Sequence, residues 1–224
     1  MANPSLPTYD LQELAAPLLA VVDGAPEQFA RLIALQDLLL AGQPVSPERL
    51  ASRFHLAREE VPALFQGAER DPEGNFVGWG LTLVPTPHSY QINGRQFYVW
   101  CAGDAITFPL LHKTSAVIAS RDPISGEAVR LIGTPAGARD VEPSTAVVSW
   151  VRSPSETNTL ETVQAAFCNF IHFFASVETA SEYLSAHSEL VIVPIDDVFQ
   201  IGKLLWERES FKSIMATLGG PFER

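Results

Sequence analysis

Apolar residues along this chain change their spacing part-way, and the change divides the chain. From Glu27 onward, FARLIALQDLLLAG carries them at helical spacing, with Pro26 near the start and Gly42 at the end, which predicts an amphipathic helix. A second helix is predicted behind Ser46, whose hydroxyl suits an N-cap, with Pro47 at the first helical position. Ala57 opens a third after a tight connection. The following ERDPEGNFVGWGLTLVP sets the turn formers Asp71 to Asn75 between strand-like flanks. Ahead of these, Leu11 to Val22 is weakly helical, is interrupted by Pro17, and reads as a surface arm or short helix.

Three helices followed by a hairpin make the pattern of a winged helix-turn-helix, expected over 25–84 after an arm at 1–24. Past Pro85-Thr86-Pro87 the texture changes to short strands and turns. SYQINGRQFYVW carries Asn93-Gly94, a strong hairpin signal, and TSAVIAS and EAVRLIGT flank the turn Asp122 to Gly126. STAVVSWV and the polar loop RSPSETNT follow. FCNFIHFFAS is strand-like, SVETASEYLSAH is an amphipathic helix, LVIVPI is a buried strand, and DDVFQIGKLLWERESFKSIM closes the chain as a helix. The fold class expected is α+β. Residues 85–224 form a domain with a mixed or antiparallel sheet and two loosely similar strand-helix-strand units, each contributing one cysteine.

Composition narrows the setting. Apolar residues are 46% and charged residues 18% of the chain, the balance of a folded globular protein. MANPSLPTYD has no basic stretch leading into an apolar core, and no apolar run reaches membrane-spanning length. A cytoplasmic location is expected, where thiols stay reduced and two cysteines serve chemistry or metal binding rather than a disulfide. A net charge of -11 opposes a phosphate backbone as partner. The winged segment itself sets Arg49, Arg53, Arg58 and Arg70 against Glu48, Glu59, Glu60, Glu69 and Asp71, so a packing or lid role is expected of it. Neither nucleic acid nor membrane is an expected partner.

The candidate chemistry gathers in FYVWCAGDAITFPL, residues 97–110. An aromatic strand ends near Trp100, and Ala102 to Leu110 is apolar enough for a buried helix that Pro109 would limit. A helix starting near Cys101 puts its thiol and the Asp104 carboxylate on one face, and a helix start lowers a cysteine pKa. The plain alternative is a buried apolar Cys101 and a first-turn Asp104. Cys168, in AAFCNFIHFFAS, widens the choice to three arrangements. One is a zinc site of Cys101, Asp104, Cys168 and His172. Another is a thiol hydrolase with His112 or His172 as base. The last is a two-thiol grip on a soft metal, with Asp104 moving protons and Trp100, Phe108, Phe167 and Phe170 walling an apolar organic group.

YVWCAGDAITFPLL, FCNFIHFFAS with VETASEYLSAH, and the closing VFQIGKLL together resemble the organomercurial lyases (alkylmercury lyases), as does the helical module ending in GNFVGWGLTL. The resemblance covers roughly residues 25–210. It implies protonolysis of a carbon-mercury bond to a hydrocarbon and Hg(II), with no organic cofactor. The family's cysteine and aspartate in its Trp-Cys-x-x-Asp motif fall on Cys101 and Asp104, and its other essential cysteine falls on Cys168. Two thiolates would then hold mercury while Asp104 relays the proton to the departing carbon. Implied partners are small cytosolic thiols and a mercuric reductase that takes the Hg(II). Members often carry a further cysteine after the one matched to Cys168 and another in the mid-chain turn; Asn169 and Arg121-Asp122 stand there instead. His88, His112, Trp79 and Trp150 read as structural. The contrasting class is a metal-responsive transcriptional regulator in which the same cysteines sense mercury.

Overall fold

The computed structural model describes residues 8–152 and 159–217, so most of RSPSETNT lies outside the described residues. The segment expected as an arm or short helix is a full helix, α1 (Leu11–Gly24), capped by the Asp10 side chain accepting from Gln12 N. Pro17 sits within it, and Leu14, Ala15, Val21 and Val22 are buried. α2 (Pro26–Leu39) follows, then α3 (Pro47–Phe54), where Ser46 Oγ accepts from Arg49 N at 3.2 Å. The third expected helix is shorter than its pattern. A 3-10 turn over Arg58–Glu60 leads into the single-turn α4 (Val61–Leu64), because Pro62 has no N–H to continue a ladder back to Arg58.

Next come β1 (Glu69–Arg70), β2 (Phe76–Trp79), β3 (Leu81–Thr82), β4 (His88–Ile92) and β5 (Arg95–Val99). The Asn93-Gly94 hairpin forms as expected, both residues adopting positive φ, 51° and 75°. α5 (Ala102–His112) leads to β6 (Ala116–Arg121), β7 (Ala128–Thr134) and β8 (Gly137–Glu142). Among the described residues these strands form one antiparallel sheet in the order β1-β2-β3-β5-β4-β6-β7-β8. Because β3 pairs with both β2 and β5, the hairpin after the N-terminal helices is continuous with the main sheet.

β9 (Val147–Val151), α6 (Val163–Ala166), β10 (Phe173–Phe174), α7 (Val177–Leu184) and β11 (Leu190–Pro194) build a second layer, with β9 central in the order β10-β9-β11. FCNFIHFFAS is strand only at Phe173–Phe174; Cys168–Phe170 is a 3-10 turn. The expected closing helix is two, α8 (Ile195–Trp206) and α9 (Glu209–Thr217). The break between them folds Phe211 back against Trp206 and lets both rings meet Phe29, at centroid separations of 5.6, 5.4 and 5.7 Å.

The two strand-helix-strand units share a topology. β5 and β6 both run antiparallel to β4 and flank it, as β10 and β11 flank β9. α5 lies buried between the main sheet and α8, and the two helices touch at Gly202, where a Cβ would come within 2.4 Å of Thr107 Cγ2. Among the described residues no helix is long and apolar enough to cross a membrane.

Candidate active site

Cys101 ends the approach from β5 and caps α5. Its backbone is extended, φ -148° and ψ 170°, and its Sγ accepts from Asp104 N at 3.3 Å. The thiol is therefore turned onto the first helical turn, beside the side chain of Asp104. Cys168 arrives from the other layer on its 3-10 turn. Sγ of both cysteines and a carboxylate oxygen of Asp104 all lie within 4.8 Å of one another. Both cysteines are buried and carry free thiols.

The turn carrying Cys168 is held carbonyl by carbonyl. Cys168 O accepts from Ile171 N at 3.1 Å, and Asn169 O accepts from the His172 side chain. Ser149 Oγ donates to Phe170 O at 2.6 Å, and Ala102 N donates to Ile171 O at 3.1 Å. His172 O accepts from Ser149 N at 3.1 Å, while His172 N donates to Ser149 Oγ at 2.9 Å. The Ala102 bond ties the start of α5 directly to this turn, so the helix-cap thiol and the turn thiol share one frame.

Burial controls the electrostatics. Desolvation pushes the Cys101 thiol well above its usual range, helped by its bond to Cys168 and the charge of Asp104. The helix start was expected to lower this thiol, and that effect is outweighed. The hydrogen bond with Cys101 pulls the Cys168 thiol down, yet burial and the Asp104 charge leave it raised. Desolvation pushes the Asp104 carboxyl up to about 7, against the lowering effect of its bonds from Cys101. Asp104 Oδ2 is buried with no hydrogen-bond partner among the described residues. Near neutral pH the thiols hold their protons and the carboxyl is divided between its two states, so it is the group placed to accept a thiol proton.

The trio opens on a cavity of about 70 Å³. Trp100, Phe108 and Phe167, expected around an organic group, are walls of this cavity. Phe170 is not; its ring packs on His187 at 5.8 Å. Trp79 and Trp150, read from sequence as structural, are both walls of the cavity. Trp150 stands edge-on to Phe167 at 5.2 Å, and its Nε1 donates to Leu14 O at 3.1 Å, tying α1 over the site. Leu18, Val21 and Val22 of α1 and Ile201, Gly202 and Leu205 of α8 complete the enclosure. Their signal in sequence was only an apolar stripe, which a core helix shows equally.

The histidines stand elsewhere. His172 stacks on His88 at 6.1 Å and is outside the cysteine cluster, so the four-ligand zinc arrangement does not form. His112 Nε2 meets Gln36 Oε1 at 2.8 Å, and burial pushes its imidazole down to about 4. No Lys, Arg or His lies among the described cavity residues, which leaves a thiol hydrolase without its base. In the mid-chain turn, Asp122 accepts from Ile124 N, Ser125 N, Ala175 N and Thr179 Oγ1, joining the β6-β7 hairpin to the start of α7.

The family model described as "MerB: Alkylmercury lyase" matches residues 81–207. The alkylmercury lyase of Staphylococcus epidermidis is 42% identical over 177 residues, 78% of this chain and 80% of its own. That of Bacillus cereus is 39% identical over 78% and 79%, and that of Pseudomonas putida 34% over 80% and 85%. A solved structure, the mercury-bound form of MerB2, shares the fold at a TM-score of 0.74 and 20% identity, covering 88% of this chain and 98% of that one. The chain belongs to the alkylmercury lyase family, enzymes that cleave the carbon-mercury bond.

Proposed function

We propose that Cys101, Cys168 and Asp104 divide the protonolysis of an organomercurial among them. The observation that carries this is the convergence of two thiols and one carboxyl within 4.8 Å in an apolar cavity. One thiol passes its proton to the departing thiol that delivered the substrate, and its sulfur bonds to mercury. The second passes its proton to ionised Asp104 as its sulfur bonds to the same atom. Two thiolate donors load electron density onto mercury and weaken its bond to carbon. Asp104 then gives its proton to the carbon as that bond breaks, so the hydrocarbon leaves, the carboxylate is restored and Hg(II) stays on two sulfurs. Either order of attack balances.

Release of Hg(II) from two thiolates needs competing thiols, so small cytosolic thiols and a mercuric reductase are its proposed acceptors, in a cytoplasmic setting and with no organic cofactor. The winged-helix-like description of 25–84 belongs to the same proposal, as do the limits 1–24, 25–84 and 85–224. The slightly negative net charge of that module's 46–71 segment favours a packing role over DNA reading. Headspace analysis tests the whole reading. Methane released from methylmercury under excess thiol supports it; no methane, together with salt-dependent DNA binding, would favour a regulator instead.

A further inference from the structure

Gly103 is the second residue of α5, in ordinary helical backbone, so no positive φ requires a glycine there. Alanine would favour the helix at this position. Space is what glycine preserves. A Cβ at 103 would lie 3.2 Å from Trp150 Cζ3 and 3.4 Å from Cys101 Sγ, so it would enter the cavity between the reactive sulfur and its aromatic wall.

We infer that Gly103 is a specificity-determining residue, leaving beside Cys101 the room that the organic group of the substrate occupies. The inference rests on the lyase reading and adds a size limit to it. The cavity measures about 70 Å³. A cavity of about 150 Å³ is known to admit benzene, so a ring-bearing mercurial uses all the space here and presses on the walls, whereas a methyl group does not. The walls, Trp150, Phe167, Trp100 and Phe108, are large rings within a buried core and give way reluctantly. A methyl-sized intrusion at 103 therefore discriminates first against the larger organic group.

The test compares kcat/KM for methylmercury and phenylmercury, read as methane and benzene under excess thiol, in the wild-type chain, Gly103→Ala and Gly103→Val. The ratio of methylmercury to phenylmercury efficiency should rise about tenfold in the alanine variant and on the order of a hundredfold in the valine variant. If the valine variant does not fold, the alanine variant, which helix preference favours, decides alone. A ratio that stays constant, whether both activities fall together or neither moves, overturns the inference and leaves the lyase reading intact. A wild-type chain inactive on both substrates overturns that reading first, and this inference with it.

Discussion

In the first strand-helix-strand unit, β5-α5-β6, the cysteine caps an 11-residue helix and its thiol is set by a bond from the backbone three residues ahead. In the second, β10-α7-β11, the cysteine precedes the strand on a 3-10 turn, and bonds from Ser149 on β9 and from Ala102 help to fix its place. One thiol is positioned locally and the other by tertiary contacts, although the units share a topology. A helix cap aims the first thiol, whereas the second is brought to the same point by bonds from other elements to the carbonyls of its 3-10 turn. The carboxyl belongs to the first unit alone, so the proposed proton chemistry is asymmetric while the proposed metal grip is shared.

The largest expected effect treats the units as equals. Cys101→Ser and Cys168→Ser should each lower hydrocarbon release from methylmercury by more than about a thousandfold, with circular dichroism unchanged, because no other thiol exists in the chain. A variant keeping near-normal turnover would break the symmetry of the grip.

Asp104→Asn exposes the asymmetry. Turnover should fall by about a hundredfold to ten-thousandfold. In the wild type, efficiency should rise with pH through about 7, as the carboxyl ionises to take a thiol proton; that rise should vanish in the variant. Stability runs the opposite way. A carboxyl whose pKa is raised on folding stabilises the folded chain when protonated, and that contribution is lost between about 4 and about 7 as pH rises. Thermal melts should therefore find Asp104→Asn more stable than wild type at pH 8, by on the order of 4 kcal/mol, with the gap closing below pH 4.

Ser149→Ala acts on the second unit. It removes the donor to Phe170 O and the acceptor for His172 N, so stability should drop by about 1–3 kcal/mol and turnover by about tenfold to a hundredfold. Alkylation of Cys101 in a Cys168→Ser background should keep its rate, which separates loosening of one turn from general damage. The smallest effect belongs to Asp122→Asn, which lines neither the cavity nor the thiol-carboxyl cluster. It should cost about 1 kcal/mol in a denaturant melt, through weakened acceptance from Thr179 Oγ1 and Ala175 N, with turnover preserved.

The same contrast explains what the sequence made legible. Cys101 and Asp104 could be read because an aromatic strand, a helix start and a three-residue spacing are local features, as is the Asn93-Gly94 hairpin. Cys168 stands out as the other of two cysteines, but sequence leaves three arrangements open for it until the family resemblance pairs it with Cys101, and its turn has the composition of a strand. FCNFIHFFAS has strand composition, but bonds to Ser149, 19 positions before Cys168, and to Ala102, still further away, choose its conformation. Likewise the break between α8 and α9 answers to Phe29, far off in sequence. Trp79 and Trp150 were passed over because a wall of a buried cavity and a core residue have the same composition. The direction of the Cys101 shift was missed because burial outweighs the helix start, and burial is a tertiary quantity.

Mercury-edge X-ray absorption on the chain loaded with one equivalent of Hg(II) counts the sulfur neighbours of the ion. The account predicts two sulfurs in the wild type and one in either cysteine-to-serine variant. A single sulfur in the wild type, or the same count after either substitution, would contradict a shared grip by Cys101 and Cys168.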